Sequence, residues 1–175
     1  MNGASIYDQR YAGLYRRLYI EPWARKYQRN LANLAALMET LRQRGQLVHW
    51  LDLARGPAWH FTRFPHSTRQ TGLDASMAQL AQARPANPAA AFVCADMSLP
   101  AFAAGSFDLI TSFWAGYCYL DSFARIARWL DNIVEWLRPD GACYIEVLLP
   151  EDVAVFNQSR YAAATGFRVF ARSPD

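Results

Sequence analysis

Three short strand-like runs, each closing on an aspartate, constrain this chain more than any other feature of its sequence. Leu47-Val48-His49-Trp50-Leu51 leads into Asp52, Arg69 to Leu73 leads into Asp74, and Ala91-Phe92-Val93-Cys94-Ala95 leads into Asp96. Short apolar runs separated by helix-length segments read as parallel strands joined by crossovers. Ligands of open parallel sheets collect at the carboxyl ends of the strands, so the repeated acid predicts an α/β chain with a polar site along that edge.

The segment after the first run sharpens this expectation. Asp52 is followed by Leu53-Ala54-Arg55-Gly56-Pro57-Ala58, and small residues at 54, 56 and 58 let backbone approach a ligand closely. A helix is expected to start near Pro57, a residue well tolerated in a first helical turn, and to stop before Pro65. Free N–H groups at such a helix start can meet an anionic group. The three-glycine fingerprint of dinucleotide sites is absent, since Gly56 is the only glycine here. Asp74 lies twenty-two positions after Asp52, close to where doubly wound folds place the acid that hydrogen-bonds ribose hydroxyls.

Taken in order, these segments resemble the motifs of the class I S-adenosylmethionine-dependent methyltransferases. Leu51 to Ala58 is similar to the acid and glycine-rich motif, and Gly72-Leu73-Asp74-Ala75-Ser76, with Leu80, Ala83 and Arg84, to the second motif. Ala95-Asp96-Met97 with Leu99-Pro100 resembles the third, Gly105 to Ile110 the fourth, and Leu137-Arg138-Pro139-Asp140-Gly141 the turn before strand five. The departures are Ala58 in place of a third glycine and Arg55 in the loop. The resemblance covers roughly residues 45 to 150 and implies a single Rossmann-like domain with S-adenosylmethionine as cofactor. It further implies a cofactor site drawn from Tyr15, Asp52, Ala54, Gly56, Asp74, Ala75, Asp96, Met97, Ser112 and Phe113. Within that set Asp74 is expected at the ribose hydroxyls, Asp96 at the adenine amino group and the Met97 backbone at the adenine ring, with the 54 to 58 loop at the methionine moiety.

Upstream, Tyr7, Tyr11, Tyr15 and Tyr19 recur every four residues and form an aromatic stripe on a helix. Residues 5 to 28 are expected either to close over the cofactor as a lid, as the resemblance implies, or to pack onto the sheet. A second helix carries Leu31, Leu34, Leu37 or Met38, and Leu41 on one face and ends at Gly45. Downstream, Ser76 is the expected N-cap of a helix from Met77 to Arg84, and strand four is expected from Phe107 to Phe113. The aromatic cluster Phe113-Trp114 and Tyr117-Cys118-Tyr119 follows, suited to an apolar or aromatic acceptor or to ordinary core packing. Asp121 or Ser122 caps a long helix whose Phe123, Ile126, Leu130, Ile133 and Leu137 are expected to face the sheet. Strand five is expected as a central strand from Ala142 to Leu149, apolar but for Glu146. The remaining residues allow a helix, about 153 to 164, and a strand, Phe167 to Ala171, with the last strand of the usual sheet missing.

Composition bounds the function. With 53% hydrophobic and 19% charged residues the chain is globular, and no apolar run reaches the ~18 residues of a membrane span. Its start lacks a signal-peptide pattern, and Cys94, Cys118 and Cys143 have no metal-type spacing, so buried free thiols in a cytoplasmic protein are expected. Net charge is +3, with eight Lys/Arg against three Asp/Glu in residues 1 to 45; a solvated helix face explains this better than nucleic-acid binding. His60 or Tyr117 is the expected base, if one is used, and a small molecule the expected substrate. Two further hypotheses keep the fold: cofactor-dependent cyclisation or rearrangement, and a non-catalytic partner subunit. A homodimer is expected through the edge at Phe167-Arg168-Val169-Phe170 and an apolar patch at Trp129 and Trp136.

Overall fold

Among the described residues five strands form, all parallel, in the order β3-β2-β1-β4-β5. They are β1 (Val48–Leu53), β2 (Thr68–Asp74), β3 (Ala91–Cys94), β4 (Phe107–Ser112) and β5 (Leu137–Ile145). The computed structural model describes residues 21–45, 47–54, 56–64, 68–166 and 168–169. The order reverses between β1 and β4, the switch point at which open α/β sheets form their binding crevice. Register brings the carboxyl ends into line, with Leu53 opposite both Leu73 and Ser112 and Asp74 opposite Cys94. This is the expected Rossmann-like, doubly wound architecture.

Side-chain alternation along β1 divides the core in two. Val48 and Trp50 pack with Leu109, Phe113 and Phe61 against α1 (Ala24–Arg42), whose Leu34, Met38 and Leu41 repeat at the three- and four-residue spacing of a helix face. Leu51 and Leu53 face the other way and meet α3 (Phe123–Trp136) through Trp129, Ile133 and Trp136. Each fully buried leucine contributes roughly 1.5–3 kcal/mol of transfer free energy, so the two clusters fix the helices on opposite faces. Gly45, at φ 76°, turns the chain from α1 toward β1 in a conformation that suits glycine.

The caps hold where they were expected. Ser76 Oγ accepts from Gln79 N at 3.2 Å to start α2 (Met77–Ala83), and Ser122 rather than Asp121 caps α3, accepting from Arg125 N at 3.3 Å.

Several expectations are corrected. Between β1 and β2 no α-helix forms among the described residues; Ala58 sits at φ 68°, outside the helical region, and only a short 3-10 turn at Phe61–Arg63 is present. On α3, Phe123 is 72% exposed and Leu130 43%, while Trp129 and Trp136 are 2% and 0% exposed. The tryptophans are therefore core, and they form no surface patch. Ile126 and Ile133 of the expected row still pack on the core, and the larger tryptophan rings, which bury more area, take the places expected of Phe123 and Leu130. β5 begins at Leu137, five residues earlier than expected, with a register irregularity opposite Phe107 and Leu109. It lies at an edge of the described sheet, and Glu146 falls just beyond it. The expected helix at 153–164 is two, α4 (Pro150–Asn157) and α5 (Arg160–Thr165), because Ser159 caps a new start by accepting from Ala162 N. Cys94 and Cys143 are exposed rather than buried, as residues of the two edge strands. The tyrosine stripe and most of the strand at 167–171 lie outside the described residues, which show no helix long and apolar enough to cross a membrane.

Candidate functional site

The carboxyl edge of the sheet carries the three aspartates, and each is held differently. Asp52, 1% exposed, accepts from Thr111 Oγ1 at 2.6 Å, and that oxygen in turn accepts from Trp50 Nε1 at 2.8 Å. The network ties β1 to β4 below the switch point and makes Asp52 a buried anchor. Asp74 binds the loop: its Oδ2 accepts from Gly56 N at 2.9 Å and its Oδ1 from Ser76 N at 2.8 Å. One carboxylate thus joins the turn after β1 to the turn after β2.

That loop is conformationally demanding. Ala54, Gly56 and Ala58 all have positive φ, at 50°, 52° and 68°. The two alanines each cost about 1–2 kcal/mol in this region, so the Asp74 bond to Gly56 holds a shape the sequence alone disfavours. Behind the loop lies the turn after β4, where Trp114 and Ala115 also have positive φ. A Cβ added to Gly116 would fall 2.6 Å from Ala54 Cβ, so the two turns touch at a position that only glycine fits. Ser112 Oγ lies beside this contact, buried and without a hydrogen-bond partner among the described residues.

Asp96 stands at the end of β3 in a polar cluster that the sequence did not reveal. Ser98 donates to its Oδ1 from both N (2.9 Å) and Oγ (2.7 Å), and Arg125 of α3 pairs with its Oδ2 while also donating to Asp121 Oδ1 at 3.1 Å. Partial burial pushes the Asp96 pKa up, but the Ser98 and Arg125 donors outweigh it and hold the carboxyl below its usual value. A folded-state value below the unfolded one stabilises the fold above the ordinary carboxylate pKa, and this contribution is lost as pH falls through the folded value. Arg125→Met is therefore expected to raise the Asp96 pKa and move acid unfolding to higher pH; carboxyl titration by NMR, with no movement of that resonance, would refute the coupling.

The remaining candidates spread over both faces of the sheet. His60 is 5% exposed, stacked on Phe113 (ring centroids 4.0 Å apart, 21° between planes) and 4.9 Å from the Tyr27 ring. Tyr117 stacks on Trp129 at 5.8 Å, and its hydroxyl accepts from Leu148 N at 3.1 Å. Burial pushes the Tyr117 phenol above its ordinary value, which favours the neutral form. Met97 is buried, its carbonyl accepting from Asn132 Nδ2 at 3.1 Å, and Ala75 is exposed beside Asp74. Tyr15 lies outside the described residues.

A cleft of about 670 Å³ opens beyond the ends of β4 and β5, between the start of α1 and α4. Trp23, Trp114, Tyr144, Val155 and Phe156 give it aromatic and apolar walls, and Arg25, Arg29 and Asp152 stand at its rim. Its floor is polar. Lys26 pairs with Glu146, Asn30 Nδ2 donates to Glu146 Oε2 at 2.8 Å, and the Tyr144 hydroxyl donates to Asn30 Oδ1 at 3.2 Å. Sequence pattern missed this site, whose one local sign was the single charge within the otherwise apolar run from Ala142 to Leu149. Among the described residues no cluster of His, Cys, Asp and Glu is arranged to hold a metal ion.

The family model described as Methyltransferase domain matches residues 51–141, and no curated protein matches the chain. Solved structures do. DesVI of Streptomyces venezuelae superposes with TM-score 0.64 at 22% identity, over 78% of this chain and 59% of that one. CalS10, an amino pentose methyltransferase from Micromonospora echinaspora determined with S-adenosylmethionine bound, gives 0.62 at 23%, over 77% and 59%. An S-adenosylmethionine-dependent methyltransferase from Clostridium acetobutylicum gives 0.67 at 17%, over 83% and 59%. At these identities the likeness is one of fold, and the chain spans 59% of the length of each of the three.

Proposed function

The chain belongs to the methyltransferase domain family, and from that premise we propose that it transfers a methyl group from S-adenosylmethionine to a small molecule with an apolar or aromatic body. The observation that carries this reading is the carboxyl edge, where Asp74 and Asp96, after the two strands on one side of β1, keep partly exposed carboxylates beside a loop whose backbone takes positive φ. The residues present fit the cofactor: Asp74 holds Gly56 in place, and Ser112 Oγ, buried without a partner among the described residues, can meet a polar group there. When bound, S-adenosylmethionine supplies a methyl group on a positively charged sulfur, an electrophile that requires positioning more than covalent assistance.

In this reading Asp74 accepts from the ribose hydroxyls, Asp96 and the Met97 backbone contact the adenine, and Ala54, Gly56, Ala75, Ser112 and Phe113 form the walls. Asp52 orders the loop from beneath through its bond with Thr111. His60, stacked on Phe113 of that wall, is the group to take a proton. Tyr117, with its phenol kept neutral by burial, orients rather than deprotonates. Calorimetry with S-adenosylmethionine, followed by detection of S-adenosylhomocysteine after incubation with an acceptor panel, tests the reading. Saturable binding with S-adenosylhomocysteine formed supports it. Absence of binding overturns it, and binding with turnover that yields no S-adenosylhomocysteine assigns the chain to cyclisation or rearrangement instead.

One observation favours a second reading, that of a non-catalytic partner subunit: Arg125 already pairs with one oxygen of Asp96. The calorimetric result separates the two. A cytoplasmic setting and a homodimer belong to the same proposal, the latter to be read by light scattering against the 19.9 kDa monomer.

A further inference from the structure

The floor of the cleft is built as a seat for an ammonium group. Lys26 Nζ lies 6.0 Å from the centroid of the Trp23 ring and 5.0 Å from that of Trp114, and the Glu146 carboxylate pairs with the same ammonium. A carboxylate flanked by indole faces recognises protonated amines, because charge attraction and the negative ring faces act on one compact cation. Glu146 is fixed in this role. Its side chain is 11% exposed, Asn30 donates to its Oε2, and Asn30, itself 3% exposed, is held from behind by the Tyr144 hydroxyl. A carboxylate so far from water is costly unless donors meet it, and every donor to it among the described residues but one is rigidly packed. The exception is Lys26, which reaches the seat on a flexible four-carbon stem from the first turn of α1.

The cleft also adjoins the loop after β1. Ala115 lines the cleft, and the next residue, Gly116, is the one that touches Ala54 of the loop after β1. We propose that the cleft binds the methyl acceptor through an amine, with Glu146 receiving that amine in the position that Lys26 Nζ marks. The acceptor role rests on the methyltransferase reading above, whereas the preference for an amine rests on the cleft alone. An anionic ligand is the competing case, since Arg25 and Arg29 also line the cleft, but both are exposed whereas Asn30 and Glu146 are packed.

The test uses three probes of similar shape at neutral pH and constant ionic strength: 2-phenylethylamine, 2-phenylethanol and 3-phenylpropionate. Binding to the full chain is followed by NMR, with Lys26→Met and the near-isosteric Glu146→Gln as variants and thermal unfolding as the check on their folding. The amine is expected to bind more tightly than the alcohol. Lys26→Met should strengthen amine binding about tenfold by removing the competing ammonium, and Glu146→Gln should weaken it about tenfold while leaving the alcohol unchanged, the scale of one charge-assisted contact. Tighter binding of the propionate, equal binding of amine and alcohol to Lys26→Met, or no saturable binding of any probe would overturn the proposal. Should the Glu146→Gln variant unfold, the Lys26→Met comparison alone decides. Amine binding without S-adenosylmethionine binding sinks the methyltransferase reading and leaves the amine seat standing. Formation of S-adenosylhomocysteine with acceptors that lack an amine, and not with amines, does the reverse.

Discussion

Gly116→Ala is expected to displace the loop after β1 and to weaken S-adenosylmethionine binding at least tenfold, with stability falling by about 1–3 kcal/mol, the range for overpacking a filled site. The added Cβ would stand 2.6 Å from Ala54 Cβ, too close for any real pair of carbons, and neither atom is the free end of a flexible chain. The other near neighbours, Ser112 Oγ at 3.5 Å and Ala54 O at 3.8 Å, are ordinary contacts. A specific rescue follows. Ala54→Gly removes the clashing methyl at a position of φ 50°, where glycine is at ease, so the double variant should recover most of what Gly116→Ala lost. A double-mutant cycle read by calorimetry and chemical denaturation should give a coupling of about 1–3 kcal/mol. Additive losses would mean that the two turns do not bear on each other.

Asp74→Ala is expected to cost more. The side chain accepts from Gly56 N and Ser76 N, and bonds to a charged acceptor are worth about 1.5–3 kcal/mol each. Its loss should destabilise the fold by about 3 kcal/mol, free the strained loop and abolish measurable cofactor binding together. Asp74→Asn keeps one acceptor oxygen and should fall between. If Asp74→Ala lowers stability but leaves affinity for S-adenosylmethionine intact, the carboxylate is a loop fastener only, and the cofactor assignment must move elsewhere along the edge.

The dual work of Asp74 shows how far the sequence could be read. Its place at the end of β2 follows from local pattern, a short β-favouring run closing on an acid at the right distance from the last. Its partners do not, because Gly56 comes to it only when the loop after β1 folds back across the sheet edge. The same division holds for the helices. Ser76 and Ser122 were legible as caps, since capping involves residues three positions apart. The inward face of α3 was legible only in part, since Ile126 and Ile133 do face the core while Trp129 and Trp136, repeating at the same helical spacing, stand where Phe123 and Leu130 were expected. Only packing against Leu51, Leu53 and Ile110 chose between these pairs.

What the chain determined by itself was therefore whatever depends on neighbours in sequence: the five strands of the described residues in their order along the chain, the acids at three of their ends, and the family those motifs signal. The tertiary structure decided what depends on distant residues. The helix expected after Pro57 gives way where Ala58 takes a positive φ among buried neighbours. Arg125 reaches Asp96 across 29 positions, and Asn30 reaches Glu146 across 116. Hydrophobic periodicity and turn chemistry act within a few residues and are written in the sequence directly, whereas a buried charge finds its donors only after the two core clusters have set α1 and β5 side by side.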